Sequence, residues 1–144
     1  LSQPKPLSEE EERRLQNLAV ELRLLEGMVG EIRARMGTID AFLRELTLAK
    51  TTLENVGSLE VGDEILIPIG GGSFLKAKLA DKDKVVIGIG AGVTVEKPLK
   101  EAVSLVDSRV AELGKARSSM EQQLNQVLER MEIVRGELQK FLSR

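Results

Sequence analysis

Residues 57–98 read GSLEVGDEILIPIGGGSFLKAKLADKDKVVIGIGAGVTVEKP. Short runs of Ile, Val and Leu alternate there with glycines, the composition of β-strands broken by tight turns. Strands are expected over 64–69, 74–79, 85–89 and 93–95. Gly70-Gly71-Gly72 and Gly90-Ala91-Gly92 supply the backbone freedom that hairpin connections need. The run ADKDK at 80–84 is a charged, solvent-facing turn. The stretch therefore reads as two β-hairpins. Pro68 cannot donate to a strand ladder, so the first strand lies at an edge or carries a bulge. Strands of about five residues do not make a stable sheet alone. Their near-continuous apolarity implies cover on both faces. The flanking segments are occupied with each other, so that cover has to come from other chains. The module is an assembly element.

Working outward, residues 9–56 form one long helix and residues 99–144 another. Ser8 followed by Glu11 is a capping-box start, and Glu9 to Glu12 suit the positive end of the helix dipole. Residues 1–8, LSQPKPLS, form a flexible N-terminal arm. From Leu15 the apolar positions keep an unbroken 3–4 spacing through Leu18, Leu22, Leu25, Val29, Ile32, Met36, Ile39, Leu43 and Leu46 to Leu53, interrupted by Lys50 alone. The second seam runs from Leu99 through Val103, Val106 and Val110 to Leu138 and Phe141, interrupted by Arg117 alone. Such a period, held over many turns, is that of a coiled coil. Two helices of similar length joined by a compact insert fold back antiparallel. The seams match when Leu15 faces Phe141, Leu18 faces Leu138 and Leu22 faces Val134. In that register Lys50 falls opposite Val106 and Arg117 opposite Ile39, each lying along the seam with its charge at the rim. The expected fold class is α+β: a long antiparallel two-helix coiled coil, with a central pair of hairpins that joins an oligomeric β-barrel. A rise of roughly 1.5 Å per residue makes each arm on the order of 60 Å.

Composition removes most chemistry. The chain has neither His nor Cys, so the commonest general base and the thiolate metal sites are missing. Its only aromatics are three Phe, which suits a coiled coil better than a compact core. Basic and acidic residues number 21 and 23 and are interspersed, which leaves no electrostatic footprint for nucleic acid. No apolar run approaches the ~20 residues of a membrane span, and no signal peptide is visible. A cytoplasmic protein with no membrane partner is expected. Leu1 is not an initiating methionine, which leaves room for residues before it. GGGS at 70–73 lacks the Lys-Ser/Thr of a phosphate loop, and Gly90 to Gly92 precede a strand. Asp81 and Asp83 fall short of a cation ligand set. Ser118-Ser119 has no base. No catalytic, metal or cofactor site is expected.

The free chain ends carry the remaining signal. Leu7, Leu15, Leu18, Leu22, Leu138, Phe141 and Leu142 gather where helix ends fray and apolar groups become intermittently exposed. Val20, Leu24, Met28, Leu128 and Ile133 lie off the seam nearby, and exposed apolar surface marks binding sites. Gly27, Gly30, Gly37, Gly114 and Gly136 also lie off the seam.

LIPIGGGSFLKAKL followed by VVIGIGAGVTVEKPLKEA resembles the alpha subunits of the prefoldin family of holdase chaperones. The resemblance spans Leu15 to Phe141 and is most specific over Ile67 to Lys97. It implies a non-enzymatic subunit of a hexamer of two alpha and four beta subunits, with hairpins forming a double β-barrel platform. Six coiled coils hang from that platform. Their tips hold unfolded client proteins without ATP and deliver them to a group II chaperonin. Carried onto this chain, the platform residues are Ile65, Ile67, Ile69, Phe74, Leu75, Leu79, Val85, Ile87, Ile89, Val93 and Val95. The competing reading is a structural spacer or filament-forming subunit that binds no client. Apolar residues continuing to the chain ends favour the holdase.

Overall fold

The computed structural model describes residues 5–143. The first four residues of the expected arm lie outside the described residues. The elements in order are α1 (Glu9–Val56), β1 (Glu64–Gly70), β2 (Ser73–Lys78), β3 (Lys84–Gly90), β4 (Val93–Pro98) and α2 (Leu99–Leu142). By contact the chain forms two compact units. Unit one comprises 1–41 with 115–144, and unit two comprises 42–114.

Unit one is a pair of antiparallel helical segments. The capping box forms: the Ser8 hydroxyl accepts the Glu11 amide at 3.1 Å and the Ser8 amide donates to the Glu11 carboxylate at 3.4 Å. The core of this unit is the seam read from the spacing. Leu18, Leu25, Val29 and Ile32 of α1 pack with Val127, Met131 and Val134 of α2. Leu18 and Val134 are wholly buried, each stabilising the pair by about 1.5–3 kcal/mol relative to leaving it in water. Ion pairs flank the seam. Arg130 grips the Glu21 carboxylate with two bonds of 2.6 and 3.0 Å, and Arg14 pairs with Glu137. Arg135 and Glu26 approach to 4.0 Å. Arg117, expected opposite Ile39, reaches the adjacent Asp40 at 2.6 Å.

The Arg130 hydrogen bond holds the Glu21 carboxyl below its ordinary value of 4.5. A depressed folded value means this pair stabilises the fold above about pH 4.5 and the contribution disappears as pH falls through the folded value. Glu21→Gln is expected to lower stability at and above neutrality and to flatten the acid part of an unfolding profile followed by circular dichroism, so that the two proteins converge as pH falls. In the same unit a Cβ added at Gly27, Gly30 or Gly37 meets nothing within 4 Å. These glycines face outward on a helix, where alanine is better by roughly 1 kcal/mol each. Gly30→Ala combined with Gly37→Ala is expected to raise the midpoint of thermal unfolding.

Unit two holds the hairpins and the helix segments next to them. β1 pairs with β2 and β3 with β4, both antiparallel, as two separate two-stranded sheets, with no closed barrel among the described residues. The two hairpins are a repeat at a spacing of 20 residues. Asp63, Ile67, Ile69, Gly70, Gly72 and Leu79 recur as Asp83, Ile87, Ile89, Gly90, Gly92 and Leu99. Register breaks fall at the matching places, between Pro68 and Gly70 and between Gly88 and Gly90, so Pro68 does stand at a bulge. The closing bonds match as well: the Leu79 amide donates to the Asp63 carbonyl and the Leu99 amide to the Asp83 carbonyl, both at 2.9 Å. Each turn has three consecutive positive φ angles, and in the second one falls on Ala91 at 51°. Lys50, expected opposite Val106, bonds the neighbouring Asp107 at 2.8 Å.

Candidate functional site

Two surfaces carry the residues singled out from the sequence. On the first hairpin, Ile67 and Leu75 face each other across the ladder, as do Pro68 and Phe74. Ile67, Ile69, Phe74 and Leu75 are exposed, and Ile65 is half-buried. On the second, Ile89 and Val93 are exposed while Val85, Ile87 and Val95 are half-buried. Leu66 and Val86, on the opposite faces, are also open to solvent, at 60% and 65%. Exposed apolar side chains on this scale, on sheets with free edges, are the mark of an interaction surface.

The expectation that the helices leave the hairpins uncovered needs correction. Within unit two the second hairpin leans on its own helices. A groove of about 440 Å³ lies between β3 residues Val85, Val86 and Ile87 and helix residues that include Leu46, Leu48, Leu53, Val106 and Arg109. Arg109 donates to the Gly88 carbonyl at 2.6 Å. The seam residues of this segment are joined by off-seam Leu48 and Ala49, which widen the apolar face beyond what the helix pair needs. Leu79 is buried; its amide and carbonyl bond to Asp63 and Gly62, so it holds its own hairpin. Arg109 escaped the sequence reading because an off-seam arginine looks like any solvated surface charge.

The second surface is the end of unit one where α1 begins and α2 stops. Leu142 is 77% exposed. Leu7, Leu15, Leu22, Leu138 and Phe141 are half-buried, and Leu22, Leu138 and Phe141 pack on the core cluster. Leu18, expected among the intermittently open residues, has no exposure at all, because it packs inside the core cluster, with Leu138 and Phe141 against that cluster. Beside Phe141 lies a groove of about 370 Å³ with Glu11, Arg14, Glu137 and Lys140 around it. Phe141 is the apolar residue of its lining, and the charges around it are of both signs. Of the off-seam residues, Val20, Leu24, Met28 and Ile133 are exposed. Leu128 is instead half-buried against the core cluster. Among the described residues no cluster of His, Cys, Asp and Glu could hold a metal, and no helix is long and apolar enough to cross a membrane.

This arrangement can be set beside known proteins. The family model described as prefoldin subunit matches residues 25–143, most of the chain. The chain belongs to the prefoldin family. It is 35% identical over 116 residues to the prefoldin subunit alpha of Methanopyrus kandleri, covering 81% of this chain and 74% of that one. It is 33% identical over 125 residues to the prefoldin subunit alpha of Methanococcoides burtonii, covering 87% and 91%. Among solved structures, filamentous prefoldin from Methanocaldococcus jannaschii superposes with a TM-score of 0.69 at 24% identity, over 83% of this chain and 98% of that one. The prefoldin beta subunit from Thermococcus strain KS-1 gives 0.59 at 15% identity, over 91% and 94%. These superpositions show the prefoldin fold of two long helices and small hairpins. Prefoldin subunits are non-enzymatic chaperone components, and this subunit shares that class.

Proposed function

We propose that this chain is the alpha-type subunit of a hetero-hexamer of two alpha and four beta prefoldin subunits, acting in the cytoplasm as an ATP-independent holdase. The hairpins build the platform with partner strands, through Ile65, Ile67, Ile69, Phe74, Leu75, Val85, Ile87, Ile89, Val93 and Val95. Non-native proteins are held at the chain-end surface of unit one, kept from aggregating, and passed to a group II chaperonin. The observation that carries the client reading is the exposure of Leu142 next to half-buried Phe141 and the mixed-charge groove beside it. A spacer needs no apolar groups there.

The test is aggregation of a chemically denatured client, followed by light scattering in the presence of the complex assembled with beta subunits. The intact complex is expected to suppress scattering. Leu7→Ser, Phe141→Ser and Leu142→Ser together are expected to abolish this chain's share of the suppression at unchanged complex mass. Unaltered suppression would remove the chain ends from client binding. No suppression by the intact complex would leave the spacer or filament reading.

A further inference from the structure

The two hairpins repeat one motif, yet the chain holds them differently. The second is tied to α2 at two places. At its base the Leu99 amide, where α2 begins, donates to the Asp83 carbonyl at 2.9 Å, next to the Lys84–Pro98 pair that opens the ladder. Further along β3, the Gly88 carbonyl accepts from the Arg109 guanidinium of α2 at 2.6 Å. At the usual rise per residue, Gly88 lies about 13 Å from the base along the strand and Arg109 about 15 Å from it along the helix. One arginine side chain joins these far points, so strand and helix form two sides of a closed triangle. Val85, Val86 and Ile87 stand between the two ties and wall the groove against the helices.

The first hairpin is held at its base alone. Its closing bonds join Leu79 to Asp63 and Gly62. Pro68 is the repeat counterpart of Gly88, and among the described residues no helix group reaches its carbonyl. Side-chain exposure follows the same division. Ile67 is 44% exposed, whereas its counterpart Ile87 is half-buried. The ladders do not cause this, because Ile67 pairs with Leu75 just as Ile87 pairs with Val95.

Resting on the reading of the hairpins as assembly elements, we infer that Arg109 is a positioning residue for assembly. It sets the second hairpin against α2 before a partner arrives, so that partner strands engage the second hairpin first and the first hairpin afterwards. A group already held in place has little freedom left to lose on docking, and association slows where docking must wait for a conformational change. The first hairpin carries that ordering step, and the second has completed it within its own chain.

Spin labels test the tie before assembly. One label is placed at position 108 of α2 and the other at position 96, or at its repeat counterpart 76. Labelled chain is diluted with unlabelled chain, so that only distances within one chain are read. The 96–108 distance is expected to be narrowly distributed and the 76–108 distance broadly. Arg109→Met keeps an apolar stem without the donor. It is expected to broaden the 96–108 distribution and to leave the 76–108 distribution and the urea midpoint of the helical signal unchanged. Arg109→Lys, which keeps a donor on a more flexible stem, is expected to restore part of the narrowing. A 96–108 distribution that stays narrow in Arg109→Met would overturn the proposal. Fluorophores at positions 96 and 76 then follow stopped-flow mixing with beta subunits. Position 96 is expected to respond first, and Arg109→Met to slow that response about threefold to tenfold, the effect of one unmade hydrogen bond. Simultaneous or reversed responses in the unsubstituted chain would overturn the order. Failure of that chain to associate at all would instead remove the assembly reading, with the distances still deciding the role of Arg109. Should Arg109→Met lose helical signal, hydrogen exchange on the unsubstituted chain decides. The Ile87 and Val95 amides are expected to exchange more slowly than those of Ile67 and Leu75, and equal or faster exchange would overturn the proposal.

Discussion

Ile67→Asp combined with Leu75→Asp is expected to leave a helical monomer that no longer assembles with beta subunits. The two side chains lie opposite each other on one face of the first hairpin and are exposed in the lone chain, so charge there disturbs little that the chain builds for itself. In an assembled platform each would be buried. Losing two such side chains costs about 3–6 kcal/mol, which is roughly a 10²- to 10⁴-fold loss of affinity. Burying the new carboxylates would cost more still. Analytical ultracentrifugation with beta subunits, alongside far-ultraviolet circular dichroism, reads both parts of the expectation. Retention of the complex by this variant would contradict the assembly role of the first hairpin. Ile87→Asp is a poorer probe, because Ile87 is half-buried and lines the groove against the chain's own helices.

The second large effect falls inside unit one. Leu18→Ala deletes a wholly buried side chain from the core cluster, and a cavity of that kind costs about 2–5 kcal/mol. Val134→Asp, at another wholly buried position of this unit, sets an unpaired carboxylate in an apolar layer and costs more. Both are expected to lower the urea midpoint for the helical signal, the aspartate more than the alanine. Leu142→Ser, at an exposed position, is expected to leave the midpoint unchanged. A Leu18→Ala midpoint equal to that of the unsubstituted chain would contradict the packing described for this layer.

The helices were legible because their signal is periodic. Every seam residue from Leu15 to Leu53 and from Leu99 to Phe141 is buried or half-buried, and Lys50 and Arg117 find acids beside their expected neighbours. The hairpins were legible from Ile, Val and turn glycines. The 20-residue repeat was also present, as Asp63, Ile67, Ile69, Gly70 and Gly72 set against Asp83, Ile87, Ile89, Gly90 and Gly92. It is short and its intervening residues differ, so it becomes plain only when the bulges and closing bonds coincide. Other features depended on three-dimensional neighbours that spacing does not encode. Nothing local marks Arg109 as the partner of Gly88, or Leu79 as a residue its own hairpin consumes. Leu18 and Leu142 are both leucines near a chain end, and only the layer in which each falls separates core from surface.

Client capture at the chain ends is the central claim, and a site-specific photo-cross-linker tests it most directly. Placed at position 142 of this chain in the complex with beta subunits, and irradiated with a denatured client present, it is expected to yield a covalent adduct with the client. The same group at position 66, on the first hairpin, is expected to yield adducts with beta subunits and none with the client. Client adducts at position 66 with none at position 142 would contradict the account.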